Sequence, residues 1–132
     1  MNNCINLVVV DNQDNYANLI KDYIDICNYK GKIEVSYQDN VKNALKEVAK
    51  DPSSIVILDA YIDDANSIDI LNSLNNQNIT TFLVSDNPSS EIKNAAINHG
   101  ASEFLIKRYE VEDLDPLFEM ILKYSKDDVV LN

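Results

Sequence analysis

Ile55-Val56-Ile57-Leu58-Asp59 is the stretch on which the fold turns. An apolar run without polar interruption, rich in β-branched residues, reads as a short strand buried on both faces. The run stops abruptly at a carboxylate. The same pattern stands upstream in Leu7-Val8-Val9-Val10-Asp11, preceded by Ile5 and followed by Asn12-Gln13-Asp14. Between these two runs lie Tyr16, Leu19, Ile20, Tyr23, Ile24 and Cys27, spaced as the apolar stripe of an amphipathic helix. Gly31 follows as a stop signal. Ile33-Glu34-Val35-Ser36-Tyr37 alternates, as expected of a strand with one wetter face near a sheet edge. Val41, Ala44, Leu45, Val48 and Ala49 then mark a second helix, closed by Asp51-Pro52.

Downstream of Asp59 the alternation continues. Ile68, Leu71 and Leu74 predict a third helix, and residues 79–84 a strand that ends at Ser85. Ile92, Ala95 and Ala96 predict a fourth helix with Gly100 just past its end. Phe104-Leu105-Ile106 is a short strand ending at Lys107, and Leu114, Leu117, Phe118, Ile121 and Leu122 mark the last helix. Strands alternating with helices imply parallel strands, because parallel pairing needs crossover connections. The expected fold is therefore α/β, a doubly wound, five-stranded parallel sheet with helices on both faces. No internal repeat or low-complexity segment interrupts it, so residues 1–125 read as one domain and 126–132 as a tail or linker stub.

Composition narrows the function classes. With 132 residues, 45% of them hydrophobic, the chain can bury a core without disulfide staples. Its formal charge of −11 weighs against nucleic acid and against an anionic membrane surface, and favours a cation or a basic partner. Cys4 and Cys27 are too few for a disulfide framework and read as reduced, buried packing thiols. The start shows no signal peptide and no apolar run is long enough to span a membrane, so a cytoplasmic location is expected. Gly31 and Gly100 are the only glycines, which excludes a glycine-rich phosphate loop.

In sheets of this kind, functional groups gather at the carboxyl ends of the strands, near the point where strand order reverses. Asp11, Asn12, Asp59, Ser85 and Lys107 occupy those ends. Clustered carboxylates repel unless a cation or ammonium neutralises them, and such hard oxygen ligands suit Mg²⁺. A carboxylate can also act as a nucleophile and form an aspartyl phosphate, with a metal and a lysine offsetting the phosphoryl charge. Each residue has a plainer reading alone: Asp59 as a strand-end cap, Lys107 as a surface lysine, Ser85 as a turn former beside Asp86-Asn87-Pro88. Their conjunction at successive strand ends favours the chemical reading. His99, the sole histidine, reads as a helix C-terminal residue favoured by the dipole, and Asp63-Asp64 and Asp127-Asp128 as solvated acids.

Residues 4–125 resemble the receiver domain of two-component response regulators. The resemblance rests on Leu7–Asp11, Ile55–Asp59, Leu83-Val84-Ser85 and Gly100-Ala101-Ser102-Glu103-Phe104-Leu105-Ile106-Lys107 taken together. It implies a flavodoxin-like sheet in order 2-1-3-4-5. It also implies roles: Asp59 as phosphoacceptor, Asp11 with Asn12 and Asp59 around Mg²⁺ or Mn²⁺, Ser85 as switch hydroxyl, Phe104 as aromatic switch and Lys107 as phosphate-binding lysine. Phe104 also has a plain reading, packing between the last two helices.

Asn12 stands where the family usually has a carboxylate, so metal affinity should be weak. Asp86 stands where the family prefers a small residue, and its carboxylate would crowd and repel an incoming phosphate. Tyr61 opens a loop without the usual Pro and Gly, so Asp86 and Tyr61 are the expected modulating positions. Arg108 replaces the usual Pro, so a trans peptide is expected after Lys107.

By the same resemblance, a histidine kinase or phosphotransfer protein supplies the phosphoryl group. The domain would catalyse only its own phosphorylation and dephosphorylation. The resemblance admits a homodimer through the fourth helix, fifth strand and fifth helix, and any output domain would lie beyond Asn132. A degenerate receiver acting as a phosphorylation-independent interaction module is the alternative. A flavodoxin-like enzyme or flavin carrier is disfavoured, because the chain lacks a phosphate-cradling loop and Trp.

Overall fold

Strands Ile5–Val10 (β1), Ile33–Gln38 (β2), Ile55–Asp59 (β3), Thr80–Ser85 (β4) and Glu103–Ile106 (β5) form one sheet in the order β2-β1-β3-β4-β5. All pairings are parallel. Helices Asn15–Ile26 (α1), Val41–Lys50 (α2), Ser67–Asn76 (α3), Ser90–Asn98 (α4) and Asp115–Tyr124 (α5) alternate with them. This is a computed structural model that describes residues 4–62, 67–87 and 89–125. Asp63, Asp64, Ala65, Asn66, Pro88 and the expected tail at 126–132 lie outside the described residues.

The two uninterrupted apolar runs sit where their composition requires. β1 and β3 pair centrally, Leu7 with Ile55 through Val10 with Leu58, and every residue of β3 is buried. Successive side chains of a strand point to opposite faces. Leu7, Val9, Ile57 and Phe82 therefore meet Tyr16, Ile20, Phe118 and Ile121 from α1 and α5. Val8, Val10, Val56, Leu58 and Leu83 meet Ala44, Val48, Leu71, Leu74 and Ala96 from α2, α3 and α4. β2 lies at one edge, buried at Ile33 and wetter beyond it, as its alternation indicates.

Local chemistry sets several helix ends. The Asn40 side chain accepts the Asn43 N–H at 2.9 Å to start α2, and the Ser89 hydroxyl accepts the Glu91 N–H at 3.2 Å to start α4. His99 caps the C-terminus of α4, with Nδ1 3.3 Å from the Asn72 Oδ1 of α3. Gly100 follows with φ of +99°. A Cβ there would fall 2.5 Å from Cγ and 2.7 Å from Cβ of Asn75. Gly100→Ala is expected to cost about 2–3 kcal/mol, from backbone strain plus forced separation of α3 and α4. Urea denaturation checks this; an unchanged midpoint would mean that the turn re-forms without glycine.

Two expectations need correction. Cys27 is exposed and Cys4 only half-buried, so neither is a buried packing thiol. Cys27 sits at the C-cap of α1, one step past the stripe that the sheet covers, and Cys4 precedes β1, its Sγ donating to the Gly31 carbonyl at 2.9 Å. Leu122, read as part of the α5 stripe, is 38% exposed, because Ile121 takes the core-facing position.

Candidate functional site

β1 and β3 end side by side at the point where strand order reverses, with a buried carboxylate at each end, Asp11 just past β1 and Asp59 as the last residue of β3. β5 brings Lys107 to the same edge. Its N–H donates to the Ser85 carbonyl at 2.8 Å, extending the β4–β5 ladder by one residue and fixing the start of its side chain. From there Nζ reaches both acids, 2.6 Å from Asp11 Oδ2 and 2.9 Å from Asp59 Oδ2. The peptide after Lys107 is trans, as expected with Arg108 there.

The remaining oxygens of the acids are held by backbone. Asp11 Oδ1 accepts the Gln13 N–H at 3.2 Å, and Asp59 Oδ1 accepts the Tyr61 N–H at 2.9 Å. Loop supports add to this. The Ser67 hydroxyl bonds to the Asp59 carbonyl at 2.9 Å, and the Tyr37 hydroxyl donates to the Asp11 carbonyl at 3.0 Å. The result is a preorganised group of two carboxylates sharing one ammonium, with one negative charge uncompensated.

Electrostatics follow from that count. Burial pushes the Asp59 carboxyl above its ordinary value, and Asp11 repulsion adds to this, against the Tyr61 N–H and the Lys107 ammonium. Burial alone would lower Lys107, but its bonds to Asp11 and Asp59 outweigh that and leave it raised. The ammonium therefore stays charged at neutral pH.

The other candidates are arranged as follows. Asn12 is exposed, and its Nδ2 donates to the Tyr61 carbonyl at 2.9 Å, tying the β1 and β3 loops together. Ser85 is fully buried; its hydroxyl accepts the Asn87 N–H at 3.0 Å and donates to the Asn87 carbonyl at 3.2 Å, turned into its own loop. Phe104 is half-buried and packs against the core of the α2–α3–α4 face. Tyr61 is 51% exposed at the mouth. Asp86 is exposed, and its Oδ2 accepts the Tyr109 hydroxyl at 3.2 Å.

Two site neighbours escape a reading of the sequence. The Tyr16 ring centroid lies 5.3 Å from Lys107 Nζ, and that of Tyr109 lies 5.9 Å away. Tyr16 reads only as a helix-stripe residue, and the sole signal for Tyr109 is its place two residues after Lys107. Among the described residues, no group of three or more His, Cys, Asp or Glu forms a metal cage, and no helix is long and apolar enough to cross a membrane.

Known proteins share this fold. The response regulator ArlR of Staphylococcus epidermidis is 23% identical over 128 residues, covering 96% of this chain and 57% of ArlR. The chain thus spans little more than half the length of that curated relative. A response regulator structure from Thermotoga maritima superposes with a TM-score of 0.77 at 15% identity, covering 94% of this chain and 99% of that one. The signal receiver domain of an HD domain-containing protein from Pseudomonas fluorescens gives 0.76 at 17% identity, covering 95% and 91%. Residues 7–119 match the model of the response regulator receiver domain, and with that match over most of its length the chain belongs to this family of two-component signalling domains.

Proposed function

We propose that this domain accepts a phosphoryl group on Asp59 from a histidine kinase or phosphotransfer protein in the cytoplasm. The observation that supports it best is the Lys107 ammonium bound by both strand-end carboxylates, a preset counter-charge beside a nucleophile. In the reaction an Asp59 carboxylate oxygen forms a bond to phosphorus as the donor's N–P bond breaks. The bonding pair leaves with the donor imidazole nitrogen, and the ring departs as neutral imidazole, its proton carried on the other ring nitrogen or taken up from solvent. Lys107 then follows the charge from carboxylate to phosphoryl oxygens. The Ser85 hydroxyl can donate to the phosphoryl group only by giving up its bond to the Asn87 carbonyl.

The donor set fits Mg²⁺ or Mn²⁺: hard oxygens, two carboxylates and one uncompensated negative charge. Asp11 and Asp59 would hold the ion, with Asn12 an uncharged and weaker contributor. When bound, a divalent cation supplies charge neutralisation for phosphoryl oxygens. The domain then acts as a phosphoacceptor switch rather than as an enzyme on a separate substrate, and its output face is α4, β5 and α5, including the exposed Ile97. No nucleic acid or membrane partner is assigned to this domain.

A second reading has its own support. The Asn12 amide already ties the two site loops together, and Lys107 already neutralises part of the acid charge. That favours a phosphorylation-independent interaction module. Treatment with a small phosphodonor and Mg²⁺ separates the two. An acceptor gives an adduct lost in alkali and released by hydroxylamine, as an acyl phosphate is; an inert module gives none.

A further inference from the structure

Two tyrosine rings lie near the Lys107 ammonium, Tyr16 at 5.3 Å and Tyr109 at 5.9 Å, within the reach of cation–π attraction. The two tyrosines differ in kind. Tyr16 is buried in the first turn of α1 and fixed by the core, whereas Tyr109 is 56% exposed on the loop after β5. What holds Tyr109 is its hydroxyl, which donates to the Asp86 carboxylate on the neighbouring loop after β4. The bond thus spans the ends of two adjacent strands, beside the ammonium that a phosphodonor must reach. The Tyr109 phenol lies above its ordinary value, chiefly through burial, opposed by Lys107 and reinforced by Asp86, so it remains a donor at neutral pH.

The geometry points to Tyr109 and Asp86 as a latch across the mouth of the site, one that screens Lys107 and limits how readily a phosphodonor reaches Asp59. This rests on the phosphoacceptor reading of Asp59. It changes the part assigned to Asp86, which acts through Tyr109 as a positioning residue and not only by its own charge. Opening the latch breaks one exposed, charge-assisted hydrogen bond and one cation–π contact, interactions of a size that corresponds to about a threefold to tenfold change in rate.

The test is a double-mutant cycle on phosphorylation by a small phosphodonor in the presence of Mg²⁺, with Tyr109→Phe, Asp86→Ala and the pair. Both side chains are exposed, so the fold should survive, and thermal midpoints near wild type check that. Each single variant should react about threefold to tenfold faster. Tyr109→Phe should add nothing in the Asp86→Ala background, because both changes break the same bond. An unchanged rate in Tyr109→Phe, or an effect of full size in the Asp86→Ala background, overturns the latch. The Tyr109 ring resonances are followed in parallel by NMR and should move in Asp86→Ala; static resonances also overturn it. Should no form accept a phosphoryl group, the gate falls with the acceptor. Shifted ring resonances would then trace that failure to the acceptor reading and not to the bond.

Discussion

Lys107→Met should lower stability at pH 7 by about 2 kcal/mol and slow phosphorylation at least tenfold. The ammonium is the shared partner of Asp11 and Asp59, and its loss leaves two enclosed carboxylates facing each other. Removing one partner of a fully buried pair costs roughly 3–5 kcal/mol. Here the three side chains keep 7–12% of their surface exposed at the sheet edge, so water can enter and the cost is smaller. The pH dependence has a definite sign. Burial already holds the Asp59 carboxyl above its ordinary value, and loss of the ammonium raises it further. An acid whose value is higher folded than unfolded weakens the fold as pH rises through the folded value. The deficit should therefore be greatest at neutral pH and shrink as the pH falls through the raised Asp59 value toward the ordinary carboxylate range. Urea denaturation at neutral and mildly acidic pH measures this. Equal deficits at both would show that Lys107 contributes by packing rather than by charge.

Asn12→Asp should tighten Mg²⁺ binding about tenfold, since ligand charge count sets affinity in such sites and tenfold needs only ~1.4 kcal/mol. The substitution takes the site from one uncompensated negative charge to two. It also removes the N–H donor that now reaches the Tyr61 carbonyl, so the metal-free site loses a tie between its loops. The variant should thus be less stable than wild type without Mg²⁺ and gain more from adding it. Calorimetric titration gives the affinities, and thermal midpoints with and without Mg²⁺ give the stabilities. Equal or weaker binding in Asn12→Asp would mean that the ion is held elsewhere.

Much of this was legible in the residues. The runs ending at Asp11 and Asp59 announce doubly buried parallel strands by their lack of alternation, and chain direction alone then puts both carboxylates at one sheet edge. β2 announces its edge position by alternating. Other features depend on the third dimension. That one ammonium spans both acids follows from the ladder bond of the Lys107 N–H to Ser85, which no spacing encodes. Tyr16 carries a helix-stripe signal that says nothing of the lysine its ring faces. Asp86 reads as a charge at the pocket mouth, but its partner is a phenol on the next loop. The Cys27 thiol belongs to the stripe by period and misses the core because α1 ends one residue before it.

That Asp59 is the phosphoacceptor is tested most directly by the intact mass of wild type and Asp59→Asn after incubation with a small phosphodonor and Mg²⁺. One added phosphoryl mass on wild type and none on Asp59→Asn is the expected result. A modified Asp59→Asn protein, or wild type left unmodified across a wide range of Mg²⁺ concentrations, would contradict it.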